Sequence, residues 1–380
     1  MTQNRHPNVL ILMDLDRAYE RGLITGILQY SRLHGPFNFL RGERAVLGEL
    51  HHLTLRKIKE WKPDAVIWRE GHEIKNVESL GIPTIFLPTT KPDPKLCNVV
   101  TDDHAIANKA VEHLMGRGLE HFAYCGLDDR HYWSAERKRA FVESVEQEGY
   151  RVHAFDLLDS RGSLSQWISN IPLPTGMLVC TDDCSLECYS AIREAGLKIP
   201  EDIALVGVGN DELVCDFSNP PMSSVQLNLE HAGFNAMSRL HAAIKEGRSG
   251  GDIVVEAFDV VERQSSNFVI VKDELVSRAL QFIYNHRGQP ITVDDVVRAV
   301  PTSRRVLYRR FKQSLGRTIA KEIRIVRINH AAKMLIDTNF TIAEICEQLG
   351  FDAPQNFTRS FLREKGLTPF KYRVKHSPFG

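Results

Sequence analysis

The sequence predicts two folds in series: a doubly wound, parallel α/β core over residues 1–265 and, after a short linker at 266–272, an all-α domain over 273–380. Three observations predict this. Through the first 265 residues, short apolar runs alternate with amphipathic segments, which is the rhythm of strand and crossover helix. The last hundred residues carry one helical scheme twice. The charge is also divided: the chain has 48 basic and 48 acidic side chains, yet 19 Lys+Arg and 10 Asp+Glu lie from Asp273 onward, leaving +9 there and −9 before it.

At 380 residues, 43% hydrophobic and 8% aromatic, the chain is long enough for two or three domains with real cores. No run approaches 18 apolar residues, so no membrane span is expected. The start, "MTQNRHPNVLILMDL", passes from a polar arm into a strand without the apolar stretch and small-residue cleavage site of a signal peptide. A cytoplasmic location is therefore expected, and seven scattered cysteines fit a reducing compartment. Cys180, Cys184 and Cys188 share a helical face but match no zinc spacing. Neither a metal nor a cofactor is expected.

The core's strands are read in order as "NVLILM" (8–13), "AVIW" (65–68), "TIFL" (84–87), "HFAYCG" (121–126), "GMLVC" (176–180) and "IALVGVG" (203–209). Amphipathic segments such as "HAIANKAVEHLMGRGL" separate them. No G-x-G-x-x-G follows the first strand, no P-loop appears, and "GRSGG" (247–251) reads as a loop, so nucleotide chemistry has no support. No G-x-S-x-G, H-E-x-x-H or paired-cysteine motif supports an enzyme.

Ligands of doubly wound folds sit at the carboxyl ends of the strands. Those ends supply Asp14 and Asp16, then Trp133 and Arg137, then Thr181, Asp182 and Asp183, then Asn210 and Asp211. Carboxylates and amides pair with hydroxyls, a guanidinium donates to two at once, and an indole covers the C–H face of a ring, so this set suits a polyol. Asp102, Asp103 and Asp183 have a plainer use as caps of the helices that follow.

In the second domain, "ITVDDVVRAVPTSRRVLYRRFKQSLG" (291–316) places Val293, Val296, Val297 and Val300 on one helix and, after a break, Ser303 as cap of a second that buries Leu307 and Phe311. Ser303, Arg304, Arg305, Tyr308 and Arg309 are then its candidate DNA contacts. The stretch "IAKEIRIVRINHAAKMLI" (319–336) has no Gly or Pro and reads as one connecting helix. "IAEICEQLGFDAPQNFTRSF" (342–361) repeats the scheme: Ile342, Ile345 and Leu349 on one face, Gly350 at the turn, Asp352 as cap, Pro354 in the first turn, Phe357 and Phe361 buried, and Gln355, Asn356 and Arg359 outward. Arg suits guanine and Gln or Asn suits adenine in the major groove, so both second helices read as DNA-reading helices.

Residues 273–380 resemble the double helix-turn-helix domain of AraC/XylS regulators, through Gly350, Phe351, Phe357, Phe361, Gly366, Pro369, Tyr372 and Arg373. One departure is Pro301, where that family often has Gly; proline cannot take positive φ, so the first turn must close differently. Residues 8–265 resemble the sugar-binding cores of LacI-type repressors and periplasmic binding proteins: two lobes joined by three crossovers, closing on "VVERQSS" (260–266). "RAYERG", "YWSAERKRAF", "TDD", "GNDEL" and "SSVQ" sit where sugar-catabolic regulators of this combined architecture have similar segments. The resemblance implies a periplasmic-binding-protein-like core in which Arg137, Thr181 and Asp182 touch a sugar. It implies a homodimeric transcription activator that binds promoter DNA, engages RNA polymerase and responds to a pentose, D-xylose first. Gly209 departs from it, since the family commonly has an aspartate there; either Asn210 or Asp211 substitutes or the ligand differs.

Overall fold

The computed structural model describes residues 5–41, 54–71, 77–158, 162–247, 250–267, 273–351 and 353–376. The chain divides into two compact units, Met1–Ser266 and Asn267–Gly380. Most of the expected linker, residues 268–272, lies outside the described residues, as do Arg248 and Ser249 of "GRSGG". Ser265 and Ser266 are buried and tied to the first unit: Ser265 Oγ donates to the Leu205 carbonyl at 2.6 Å, and Ser266 Oγ meets Ser223 Oγ at 2.7 Å.

The first unit holds two six-stranded sheets. One contains β1 (Asn8–Leu12), β2 (Asn38–Arg41), β3 (Ala65–Arg69), β4 (Thr84–Leu87), β5 (Cys97–Thr101) and β11 (Ile253–Val255), in the order β11-β5-β4-β3-β1-β2. The other contains β6 (His121–Gly126), β7 (Val152–Asp156), β8 (Thr175–Val179), β9 (Ile203–Gly209), β10 (Ser223–Leu227) and β12 (Ala257–Val261), in the order β12-β10-β9-β8-β6-β7. Every pairing is parallel except β10 with β12. β1 and β8 are buried at all five positions, as continuous apolar strands covered on both faces must be.

The chain passes between the lobes three times, at Asp102, Asn228 and Glu256. After β5 it enters α3 (Asp103–Met115), which packs in the second lobe against α4 (Tyr132–Gln147) and β12. After β10 it returns through α8 (Leu229–Glu246), which packs on α1 (Ala18–His34) of the first lobe. Between β11 and β12 it crosses again. The crossovers are stitched together: Asp102 N–H donates to the Val255 carbonyl at 3.0 Å, and Asn228 N–H to that of Glu256 at 2.9 Å.

The second unit is all helix among its described residues: α9 (Glu274–Asn285), α10 (Val293–Ala299), α11 (Arg304–Leu315), α12 (Ile319–Asp337), α13 (Ile342–Gln348), α14 (Pro354–Lys365) and α15 (Pro369–His376). It has two cores. Ile319, Ile323 and Val326 of α12 belong to the first core, with Leu307 and Phe311; Ile328, Ala331 and Leu335 belong to the second, with Phe357 and Phe361. The connecting helix α12 is thus shared by the two cores of the second unit. Capping boxes start both leading helices, Thr292 with Asp295 and Thr341 with Glu344.

The two turns differ. In the second, Gly350 stands at φ +66°, and a Cβ there would lie 2.3 Å from Pro290 Cβ. In the first, Val300 is extended and Thr302 N–H donates back to the Val300 carbonyl at 2.7 Å, a three-residue turn centred on Pro301 that needs no positive φ. The helix after the second turn is capped by Ala353 backbone geometry with Pro354 following and no side-chain cap; the expected cap, Asp352, lies outside the described residues.

Candidate functional site: an interlobe cleft and two exposed reading helices

A cavity of about 100 Å³ lies between the lobes, at the carboxyl ends of their strands. The second lobe contributes Trp133, Arg137, Thr181, Asp182 and Asp211 from among the residues expected there. Arg137, on α4, is 2% exposed and already engaged. Its Nε donates to Asp103 Oδ1 at 2.9 Å, Nη2 donates to Thr101 Oγ1 at 3.3 Å, and Nη1 donates to the Cys180 carbonyl. Its guanidinium carbon stands 5.6 Å from the Trp133 ring centroid, a cation–π contact. Asp103 is therefore the partner of Arg137, while Asp102 caps α3 by accepting from Ala105 N–H at 2.9 Å.

Asp182 is 3% exposed, and both of its oxygens are used: Oδ2 accepts from Asp211 N–H at 2.7 Å and Oδ1 from Ser224 Oγ at 2.6 Å. Burial pushes its pKa up to about 6, against the pull of those two hydrogen bonds. Asp211 links the lobes. Its Oδ2 accepts from Ala18 N–H at 3.1 Å and from Arg21 Nη2 at 3.0 Å, both on α1, while Oδ1 caps α7 (Glu212–Phe217) at Leu213 N–H. At the rim, Arg17 pairs with Asp183 at 3.5 Å, and Tyr132 N–H donates across to the Thr89 carbonyl at 3.0 Å.

Three expected residues do not line the cleft. Asp14 and Asp16 are exposed, because the chain bends after β1 and turns the first residues of α1 inward instead. Asn210 has φ +53°, and its side-chain oxygen accepts from Arg263 Nη1 at 2.9 Å. Gly209 does line the cleft, at φ +122°, and a Cβ there would stand 3.3 Å from Asp182 Oδ2. An aspartate at 209 would thus combine backbone strain with a carboxylate set against Asp182.

The first lobe supplies residues that were not anticipated. Tyr19 and Glu20 from α1 and Arg69 from the end of β3 line the cleft, and Arg69 Nη1 meets Glu20 Oε1 at 2.8 Å. Arg69 follows "AVIW" directly, so the strand-end rule extends to it; Tyr19 and Glu20 lie within the quoted "RAYERG". Cys180, Cys184 and Cys188 do not share a helix face: Cys180 directly follows β8, Cys184 is the N-cap of α6 (Ser185–Glu194) and only Cys188 lies within it; no metal-binding group of side chains occurs among the described residues.

In the second unit, Arg305, Tyr308 and Arg309 on α11, and Gln355, Asn356 and Arg359 on α14, have exposed side chains. No ion pair of Arg305, Arg309 or Arg359 is seen among the described residues, and all three side chains are exposed. Ser303 and Arg304 are more committed. Ser303 Oγ caps α11 at Val306 N–H, and Arg304 pairs with Asp294 at 2.7 Å and lies 5.5 Å from the Tyr308 ring centroid.

Two family models match the chain: a periplasmic binding protein-like domain at residues 111–266 and a helix-turn-helix domain at 296–375. The chain is 28% identical to the xylose operon regulatory protein of Escherichia coli (strain K12), over 99% of each chain. It is 29% identical to that of Haemophilus influenzae, over 96% of this chain and 98% of the other. The solved structure of the xylose-binding transcription activator xylR is 25% identical and superposes with a TM-score of 0.62, over 99% of this chain and 100% of that one. These relatives are regulators and not enzymes, and no described helix is long and apolar enough to cross a membrane. The chain joins a periplasmic binding protein-like domain to a C-terminal AraC-type helix-turn-helix domain, as a sugar-sensing DNA-binding transcription regulator does, and in this it is similar over its whole length to the xylose operon regulatory proteins.

Proposed function

We propose that this regulator is an activator of sugar-catabolic genes in the cytoplasm, and that a pentose, D-xylose first, binds between its lobes. The observation that carries this reading is the cleft itself. Trp133, Arg137, Thr181, Asp182 and Asp211 converge there from different strand ends, on a chain similar throughout its length to xylose operon regulatory proteins. Carboxylates, guanidinium and an indole face are the partners of a polyol. Contacts from both lobes favour the closed form, and that differential affinity is what shifts the population. The proposed linker to the reader begins after Ser266, which is buried and bonded within the first unit.

The reader is proposed to act as a homodimer, each subunit placing α11 and α14 in successive major grooves and presenting RNA polymerase with a fixed surface. Arg305, Tyr308, Arg309, Gln355, Asn356 and Arg359 are the proposed base contacts, with Ser303 and Arg304 positioning the first helix. Gly209 favours a second reading, in which the same architecture senses a different small polar ligand.

A thermal-shift screen of pentoses and hexoses tests the sensor, because a ligand bound only by the folded form raises its apparent stability by mass action. D-Xylose is expected to give the largest shift. If no neutral sugar moves the transition, the sugar reading fails. Scattering that shows a monomer both free and on operator DNA removes the dimer.

A further inference from the structure

Two polar atoms buried in the cleft have no hydrogen-bond partner: Glu20 Oε2 and Trp133 Nε1. They come from opposite lobes, one on α1 and the other on α4. One is an acceptor and the other a donor. Glu20 is 2% exposed, and only its Oε1 is engaged, by Arg69. Burial raises the pKa of this carboxyl against the pull of Arg69, so a donor to its open oxygen would stabilise the charged form.

The other carboxylates of the cleft are occupied. Asp182 and Asp211 have both oxygens bonded within the protein, and Asp183 is exposed at the rim beside Arg17. Among the described carboxylates of the cleft, Glu20 is thus the one with a buried oxygen that has no partner. The lining as a whole carries three arginines against four carboxylates, so the cleft is formally negative by one. Removing the Glu20 charge would cancel that excess and release the Arg69 guanidinium from its partner.

We infer that Glu20 is the specificity-determining residue of the cleft: its Oε2 accepts a hydroxyl of a neutral sugar held between the lobes, and its charge excludes the corresponding sugar acid. This inference rests on the sugar reading of the cleft. The Trp133 indole N–H supplies the complementary donor from the other lobe, so a neutral polyol has both a donor for Glu20 and an acceptor for the indole. An anionic ligand also has hydroxyls to donate, but it brings a carboxylate into a cleft with an excess of negative charge and meets Glu20 as a like charge.

The test uses the full-length protein at pH 7.5, with binding of D-xylose, D-ribose, L-arabinose and D-xylonate followed by calorimetry. The wild type is expected to bind at least one aldose and to ignore D-xylonate. Glu20→Gln is expected to weaken that aldose about tenfold or more and to admit D-xylonate, an exchange of charge preference that a loss of packing alone would not produce. Glu20→Asp, which keeps the charge on a shorter arm, is expected to lose aldose affinity while still excluding D-xylonate, and it carries the test if the glutamine variant does not fold. Unchanged aldose affinity with D-xylonate still excluded in Glu20→Gln overturns the inference, as does a wild type that binds D-xylonate as tightly as the aldose. A wild type that binds none of the four overturns the pentose reading of the cleft and this inference with it.

Discussion

The sensor and the reader place their candidate contacts in opposite environments. In the reader, Arg309 and Arg359 stand on exposed faces of helices whose other sides bury Leu307, Phe311, Phe357 and Phe361. Recognition and folding are thus divided between the two faces of one helix. In the sensor, Arg137, Asp182 and Asp211 are buried in bonds to Asp103, Cys180, Ser224 and Arg21, so the groups that face the cleft also hold the fold, and Asp211 reaches Arg21 in the other lobe. A substitution in the reader should change recognition alone. One in the sensor should change stability and recognition together.

Arg137→Ala breaks this comparison most severely if it is wrong. Removal of the guanidinium leaves Asp103 buried without its cation, and breaking a buried pair costs about 3–5 kcal/mol. Chemical denaturation should show that loss, and sugar-induced stabilisation should disappear. Arg137→Lys should recover part of the stability without restoring the ligand response, because a lysine ammonium lacks the planar fork. Operator binding, measured well below the unfolding transition, should stay near wild type. A stability loss under 1 kcal/mol would mean that the network around Arg137 is not structural.

The pH dependence of stability is the next largest effect. Asp182 titrates at about 6 in the folded protein against an ordinary value of 3.8, so the folded state holds its proton more tightly than the unfolded chain. Its contribution is fully present below about pH 4 and is lost as pH rises through 6, roughly 3 kcal/mol in all. Asp182→Asn should flatten the stability profile between pH 4 and 7. A variant profile parallel to that of the wild type would place the titration elsewhere.

The same contrast explains what was legible in the sequence. The reader's pattern is local: 3.6-residue periodicity fixed which side of α11 and α14 is buried, and the outward residues followed by exclusion. The sensor's cleft is assembled from distant strand ends. The rule that ligands lie beyond those ends located Arg137, Thr181, Asp182 and Asp211, but not the bend that exposes Asp14 and Asp16 while turning Tyr19 and Glu20 inward. Nor does sequence spacing reveal that Asn210 is held by Arg263, 53 residues away. The strands not read, such as β7 and β12, lie at sheet edges and carry exposed residues, which weakens the apolar run that marks a central strand.

In the reader, Arg359→Ala should cost about 1–3 kcal/mol of operator binding and relax preference at one guanine, and Arg309→Ala should do the same through α11. Thermal stability should stay within about 0.5 kcal/mol of wild type for either change, since both side chains are exposed. Selection of operator variants checks the first part and calorimetry the second. Equal weakening on every DNA sequence would make these arginines phosphate contacts.

The smallest expected effect separates the two helix-turn-helix units from each other. Gly350→Ala should destabilise by roughly 1–3 kcal/mol, because the new side chain must adopt φ +66° while its Cβ approaches Pro290. Pro301 stands at the corresponding turn, yet that turn closes through Thr302 N–H on the Val300 carbonyl with no left-handed residue. A glycine at 301 therefore gains nothing from its access to positive φ. It only adds freedom to the unfolded chain, so Pro301→Gly should destabilise by about 0.4–1 kcal/mol and leave operator preference unchanged. If Pro301→Gly instead stabilises the protein, the proline turn is strained. If it alters base preference, the turn itself sets the pose of α11, and the two reading helices are positioned by different devices.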